Sequence, residues 1–219
     1  MQLALPPSCP SQSDIRSAGI LDSVRQAFLA KGFDGATMQD LARAAGMSVG
    51  NFYRYFPSKA AIIQALILHD SAQVQRDFSV ILTSPHPLAT LRQVIHARIV
   101  NNDCANDLAL WAEVEAASRR SAEIARTARQ MDTEVLGNFL AVFAAETVLP
   151  IAEATRRFSA LASYVLVMVK AASCLSCASA LDQTQVRAMI LTSIDQTLDQ
   201  VVTATAPALL LDTKDPPCA

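Results

Sequence analysis

The segment TMQDLARAAGMSVGNFYRYFPSK, residues 37–59, has the pattern of two short helices joined by a tight turn. Thr37 is a good N-cap and Asp40 can complete a capping box, so a helix is expected to begin directly after Thr37. Gly46 stands where a left-handed residue ends that helix, and Ser48 is placed to cap the next one. The segment predicts a helix-turn-helix, although two short helices in any helical domain give a similar pattern.

The second predicted helix combines an apolar face with an outward face of polar and aromatic residues. Phe52 and Phe56, four residues apart, are expected to point inward. Asn51 and Arg54 fall at outward positions, where such side chains can read base edges in a major groove. Lys59 follows at the start of a third helix, whose N-terminal amides add to a phosphate site. These features favour a DNA-binding surface over a structural helix pair.

We predict nine DNA-binding residues in this segment. Tyr53 and Lys59 are expected to hold phosphates, because tyrosine hydroxyls and lysine ammonium groups bind phosphate oxygens. Thr37 and Ser48 contribute through their caps and hydroxyls, while the first residues of the second helix and Arg54 face bases. The nine residues are Thr37, Ser48, Val49, Gly50, Asn51, Tyr53, Arg54, Tyr55 and Lys59.

Residues 20–63 contain the motifs F-x-x-K-G-F, T-M-x-D-x-A-x-x-A-G and Y-x-Y-F-x-S-K. In these motifs the stretch resembles the N-terminal DNA-binding domain of the TetR family of bacterial transcriptional regulators. The resemblance implies a homodimeric regulator, usually a repressor, whose divergent C-terminal domain binds a small-molecule effector. Its double-stranded DNA operator is then expected to be near-palindromic. Val49 departs from the many relatives that have a polar or basic residue there, which leaves Val49 free to touch a thymine methyl group.

Composition and charge agree with this interpretation. The chain of 219 residues is 52% hydrophobic and has only 6 glycines, a mixture that favours helices. Its net charge of −2 is unevenly distributed. Residues 1–60 hold six basic and four acidic side chains, whereas the remainder holds 12 basic and 16 acidic side chains. The N-terminal part therefore has the positive balance expected of a DNA-binding domain.

No stretch of the second half alternates like a strand, so we expect an all-α protein. It would consist of an N-terminal three-helix helix-turn-helix domain followed by a helical ligand-binding and dimerisation domain. The expected divisions are a disordered arm at 1–12, the DNA-binding domain at 13–60, the effector-binding and dimerisation domain at 61–206, and a disordered tail at 207–219. The arm lacks the basic start and long apolar run of a signal peptide, which favours a cytoplasmic protein.

One long helix, from residue 58 to about 82, is expected to join the DNA-binding domain to the rest of the chain. Further helices are expected at 88–101, 106–118, 122–145, 153–180 and 183–204. Between Phe158 and Leu181 only Lys170 is charged, which raises a membrane span as an alternative. Small polar residues interrupt the apolar run, and the spacing of its apolar residues suits helix packing. We therefore expect this helix to lie half in the core and half in a subunit interface.

The TetR resemblance implies that the last two long helices form a four-helix bundle in a dimer. The residues predicted for this interface are Phe158, Leu161, Val165, Ala172, Met189 and Ile190. The same half of the chain has aromatic, sulfur and polar side chains suited to a pocket for an apolar or amphipathic effector. The predicted effector-binding residues are Trp111, Met131, Phe139, Phe143, His96, Tyr164 and Met168.

Cysteine, metal and enzyme chemistry receive little support. Cys174 and Cys177 have C-x-x-C spacing but fall inside a predicted helix, so packing is favoured over a metal ligand or thiol switch. The other cysteines are Cys9, Cys104 and Cys218. The three histidines lie near no catalytic motif, so we expect no enzyme, no metal and no cofactor. The alternative function is a helical ligand-binding or metal-binding protein without DNA-binding activity.

Overall fold

A computed structural model describes residues 12–100, 105–175 and 182–204 of the chain. These residues form nine helices and no strand, which confirms the all-α prediction. The helices are α1 (Gln12–Gly35), α2 (Met38–Ala44), α3 (Val49–Tyr55), α4 (Lys59–Thr83), α5 (Pro87–Val100), α6 (Ala105–Ser118), α7 (Ala122–Thr147), α8 (Ile151–Cys174) and α9 (Gln183–Thr203).

The first three helices, here called the head, pack around a small apolar core. Phe28, Leu41 and Phe52 are completely buried. The ring of Phe28 meets that of Phe33 edge to face, with 4.6 Å between their centroids. Gly32, which lies between Phe28 and Phe33 in the sequence, has a φ of 70° and interrupts α1. Glycine adopts this left-handed conformation without the steric cost that a side chain would bring.

Helix α4 belongs to both parts of the molecule. The predicted division between residues 60 and 61 falls within its first turn. Ser58 caps α4 by accepting a hydrogen bond from the amide of Ala61, at 3.1 Å. The helix then continues without a break to Thr83, so its 25 residues connect the head to helices α5–α9. Helices α4–α9 are here called the body.

The body is a helical bundle in which α4 and α7 run side by side in the same direction. The side-chain amide of Gln64 donates a hydrogen bond to the hydroxyl of Thr127 at 3.2 Å. Seven residues further along both helices, the hydroxyl of Ser71 donates to the carboxylate of Glu134 at 2.5 Å. The start of α7 therefore lies beside the start of α4, at the head end of the body. A row of aromatic rings continues the core toward the opposite end: Phe78, Phe139, Phe143 and Phe158.

After α7 the chain reverses at Val148, whose φ is 53°, and α8 returns toward the head. Helix α9 then packs on α8 and α5. Among the described helices, none alone is long and apolar enough to cross a membrane. Helices α7 and α8 meet that criterion only as a pair, which is bent by 117°.

The predicted dimer interface needs correction. Phe158, Val165 and Ala172 are buried within a single protomer, so their side chains form core contacts and cannot contact a second copy. Leu161 and Ile190 are half-buried. Met189 remains as the exposed member of the predicted set.

Some predictions concern residues outside the described ones. They include the disordered arm, apart from Gln12, and the disordered tail at 207–219. Cys9, Cys104, Cys177 and Cys218 lie outside as well, together with the side chain of Cys174. Among the described residues, no group of three or more His, Cys, Asp or Glu side chains is placed to hold a metal ion.

Candidate nucleic-acid interface

The helix-turn-helix begins with a complete capping box. The Thr37 hydroxyl accepts a hydrogen bond from the amide of Asp40 at 3.1 Å, and the Asp40 carboxylate accepts one from the amide of Thr37 at 3.0 Å. Lys31 donates to the same carboxylate at 2.6 Å. The bonds from Lys31 and Thr37 hold the pKa of Asp40 well below its usual range. The start of α2 is therefore fixed by charge as well as by backbone geometry.

The turn between α2 and α3 is tight. Gly46 has a φ of 65°, a left-handed conformation that side chains disfavour. The amide of Met47 reaches back to the carbonyl of Ala42 at 2.9 Å, which closes the turn. Ser48 then caps α3 by accepting from the amide of Asn51 at 3.4 Å. These local bonds fix the turn that connects α2 to α3 within the head.

Helix α3 presents one buried face and one open face. Phe52 is fully buried and its ring lies 5.3 Å from that of Phe56, which anchors the helix on the head. The other six residues of α3 are exposed to solvent, and all six are predicted DNA-binding residues: Val49, Gly50, Asn51, Tyr53, Arg54 and Tyr55. Thr37 and Ser48 are exposed as well. Eight of the nine predicted residues are thus accessible on the helix-turn-helix.

The polar groups on this open face are available for a ligand. Within the described part of the chain, the side chains of Asn51, Tyr53 and Arg54 have no hydrogen-bond or ion-pair partner. A short helix on which amide, hydroxyl and guanidinium groups all point into solvent suits recognition of base edges and phosphates.

Sequence analysis missed Arg43 as a candidate. Arg43 is exposed in the last turn of α2, and its guanidinium group also has no partner among the described residues. In a helix-turn-helix the first helix crosses the DNA backbone, so a free cation there can meet a phosphate. Its outward position within the T-M-x-D-x-A-R stretch is a signal that could have identified it.

Lys59 is placed differently from the other predicted residues. It is half-buried, and its ammonium group donates to the carbonyl oxygen of Phe33 at 2.7 Å and to that of Asp34 at 3.0 Å. These carbonyls end α1, where the helix dipole favours a cation. Lys59 therefore connects the start of α4 to the end of α1 by hydrogen bonds.

Further contacts join the head to the body at the same place. The Glu113 carboxylate of α6 accepts a hydrogen bond from the amide of Phe33 at 2.9 Å. A Cβ built on Gly32 would lie 3.6 Å from that carboxylate. Arg120, just after α6, forms an ion pair with Asp34 at 2.9 Å. The end of α1 is thus held from two sides, by α4 and by α6.

The predicted effector-binding residues differ in burial and lie on several helices. Phe139 and Phe143 belong to the aromatic row of the core, and Met131 is buried in the same core. Tyr164 is exposed and shares a hydrogen bond with Ser193 at 2.7 Å. The remaining three, His96, Trp111 and Met168, are half-buried on three different helices.

Neither of two clefts among the described residues is lined by a predicted effector-binding residue. One cleft, of about 380 Å³, lies between α4 and α5. The other, of about 180 Å³, lies at the junction of head and body. His96 instead contacts Asp195 of α9, with 2.9 Å between Nε2 and Oδ1. An effector pocket around these seven residues therefore stays a prediction.

A polar centre that sequence analysis did not predict joins three helices of the body. Lys170 of α8 donates to Glu115 of α6 at 2.8 Å and to Asp132 of α7 at 2.6 Å. Burial alone would lower the pKa of Lys170, but the hydrogen bonds and charges of Asp132 and Glu115 raise it above its usual value. Trp111 lies one helical turn before Glu115 on α6. The lone charge between Phe158 and Leu181 was the available signal.

Comparison with known proteins agrees with the architecture. Residues 20–66 match the family model for bacterial regulatory proteins of the tetR family. The HTH-type transcriptional regulator UidR of Escherichia coli K12 is 37% identical over 59 residues, which span 27% of this chain and 30% of UidR. The HTH-type transcriptional regulator EthR of Mycolicibacterium smegmatis is 40% identical over 60 residues, or 27% of this chain and 28% of EthR. The similarity thus spans less than a third of the curated relatives' length.

Solved structures extend the similarity of fold to most of the chain. Salmonella enterica GusR superposes with a TM-score of 0.68 at 21% identity, covering 88% of this chain and 98% of GusR. A TetR transcription regulator from Haloarcula marismortui superposes with a TM-score of 0.69 at 17% identity, covering 85% of this chain and 97% of that structure. This chain therefore carries the DNA-binding domain of the TetR family of bacterial regulatory proteins, on the helical fold of that family's regulators.

Proposed function

We propose that the protein is a homodimeric transcriptional regulator that binds a specific double-stranded operator through α3. The observation that carries the proposal is the unpartnered set Asn51, Tyr53 and Arg54 on the exposed face of a rigidly capped helix. Asn51 and Arg54 would contact base edges, and Tyr53 and Arg43 would contact phosphates. Val49, 38% exposed at the first position of α3, is suited to contact a thymine methyl group.

The dimer interface is proposed to lie on the exposed faces of α8 and α9. Tyr164 and Val167 of α8 and Met189 of α9 are large apolar side chains exposed to solvent. The hydrogen bond between Tyr164 and Ser193, which lies one turn from Met189, supports a single surface formed by these side chains. Burying this surface against its two-fold copy would remove the exposed apolar area.

A two-fold dimer requires a matching operator. Its two α3 helices would enter successive major grooves, roughly 34 to 36 Å apart, so the operator would be near-palindromic. By family, the regulator acts as a repressor in the cytoplasm and is released from DNA by a small apolar or amphipathic effector. The half-buried Trp111 and Met168, near the Lys170 centre, support entry of such a ligand among α6, α7 and α8. A hundredfold preference for the released state corresponds to about 2.7 kcal/mol per site.

The test is binding of the full chain to a labelled duplex from the region upstream of its own gene. We expect binding that Asn51→Ala and Arg54→Ala each weaken by about 1–3 kcal/mol, because each variant removes a contact to bases. Arg76→Ala, an exposed arginine in the middle of α4, is a matched control and should bind like wild type. Absence of duplex binding by the wild-type chain would favour a helical ligand-binding protein instead.

A further inference from the structure

The turn between α6 and α7 carries a cluster of positive charge outside the helix-turn-helix. Residues 119–129 contain four arginines and one acidic residue, Glu123. Arg119, Arg126 and Arg129 are exposed, and their guanidinium groups have no partner among the described residues. We call these three residues the basic corner. Arg126 and Arg129, three residues apart on α7, share its outward face.

The basic corner lies at the head end of the body. Arg120, the neighbour of Arg119, is paired with Asp34 at the end of α1. The hydrogen bond from Gln64 to Thr127 holds the first turns of α7 against the first turns of α4. The junction cleft is lined by Ser121 together with residues of α1 and α4. The corner is therefore fixed next to the part of the head where α4 begins.

The head itself has few cations that are free to meet DNA. Lys31 is paired with Asp40, Arg25 is paired with Asp70, and Lys59 is bonded to backbone carbonyls. Among the described side chains of the head, Arg43 and Arg54 are the arginines without such a partner. About half to two-thirds of the hydrogen bonds between a protein and DNA go to phosphate and sugar groups. Two free arginines in each head therefore leave phosphates that a neighbouring cationic surface could contact.

We propose that the basic corner binds backbone phosphates of the same duplex, so that the body contacts DNA directly beside the head. The partner is the phosphate backbone of double-stranded DNA, and the contact is independent of base sequence. The inference rests on the proposed DNA-binding function and adds a second surface to it. Exposed arginines facing phosphates gain energy mainly by releasing counterions, so the signature of the corner is salt dependence.

The experiment measures affinity of the full chain for a mixed-sequence duplex of about 30 base pairs, over roughly 50 to 200 mM salt. Each lost phosphate contact reduces the slope of log K against log salt by about 0.9, and a dimer has two copies of each arginine. Arg126→Ala should therefore lower the slope by about 1.8, and the pair Arg119→Ala and Arg126→Ala by about twice that amount.

Two further variants separate the corner from general effects of charge or folding. Arg156→Ala removes an exposed arginine near the start of α8, at the opposite end of the body, and should leave the slope unchanged. Glu123→Gln removes the acidic group of the corner and should tighten binding, a gain that a folding defect cannot produce.

Corner variants with the same slope as Arg156→Ala, in a protein still weakened by Arg54→Ala, would overturn the inference while leaving the proposed function intact. A wild-type chain that binds no duplex at any of these salt concentrations would overturn both.

Discussion

Lys59 lies in a motif associated with DNA binding, yet its ammonium group is bonded to the carbonyls of Phe33 and Asp34. The sequence motif identifies Lys59 but does not predict these bonds, because their acceptors lie 25 and 26 positions earlier in the chain. A lysine that secures two helix ends affects stability first and DNA affinity second.

We therefore expect Lys59→Met to destabilise the folded protein by about 1.5–3 kcal/mol, the range for a lost hydrogen bond to a charged group. Urea unfolding followed by circular dichroism measures this change. Arg54→Met is the control, because the exposed Arg54 side chain makes no hydrogen bond or ion pair within the described chain, and its stability should match wild type. If Lys59→Met kept full stability and only lost affinity for DNA, Lys59 would be a phosphate ligand after all.

Lys170 links three helices of the body through its two carboxylate partners. Its pKa is raised in the folded state, so its charge stabilises the fold at pH values below its unfolded pKa of about 10.4. This stabilisation is lost as pH rises through the higher folded pKa. Wild type should therefore lose more stability than Lys170→Met between about pH 9 and pH 12.

The measurement is the free energy of unfolding of both proteins across that range, taken as a difference so that other titrating groups cancel. At about pH 7 the variant should be less stable, because Glu115 and Asp132 lose the cation between them. Curves that stay parallel up to the highest pH would show that the Lys170 charge contributes nothing to the fold.

At the scale of helices, the sequence predicted the head well because its signals are local. The capping box of Thr37 and Asp40, the positive φ of Gly46 and the cap at Ser48 all act within a few residues, and all are present in the structure. Spacing along α8 also predicted its buried stripe. Spacing alone could not tell which side that stripe would face, since core and subunit interface both require apolar residues.

For a related reason, the sequence could not distinguish residues of an effector pocket from residues of the core. Aromatic residues at helical spacing occur wherever helices pack, and Phe139 and Phe143 prove to be core. The Lys170 centre depends on three helices whose residues are 115, 132 and 170 in the sequence, so only the fold brings them together.

Neighbouring valines on α8 distinguish core from interface. Val165 is fully buried, so Val165→Glu places an unpaired charge in the core and should unfold much of the protein. Val167 is 55% exposed, so Val167→Glu should leave the fold intact but charge the proposed interface. Sedimentation should then find folded monomers of Val167→Glu. A fully dimeric Val167→Glu protein would place the interface on another surface.

At the scale of the whole molecule, the junction between head and body determines whether the two parts behave as one unit. Glu113 accepts from the amide of Phe33, and Arg120 pairs with Asp34. An effector that moves α6 would act on the head directly through these bonds, as well as through α4. Coupling of this kind requires that the head be less stable when released from α6.

We expect Glu113→Ala to loosen the head selectively, because a part-buried carboxylate bond to α1 is lost while the buried core of the body keeps its side chains. Amide hydrogen exchange should accelerate in α2 and α3 but not in α7. The Glu115→Ala variant, altered two residues along the same helix, is the control and should leave exchange in the head unchanged. Equal acceleration throughout the protein would show that Glu113 stabilises the fold as a whole without linking its two parts.

If two copies of the α3 surface read one duplex, hydroxyl-radical footprinting of the full chain on its own upstream region should show it. We expect two protected half-sites on one face of the duplex, centred about 10 to 10.5 base pairs or a multiple apart and related by a near-palindrome. Arg54→Ala should weaken the protection of both half-sites together. A single protected tract without symmetry, or no protection at any protein concentration, would contradict it.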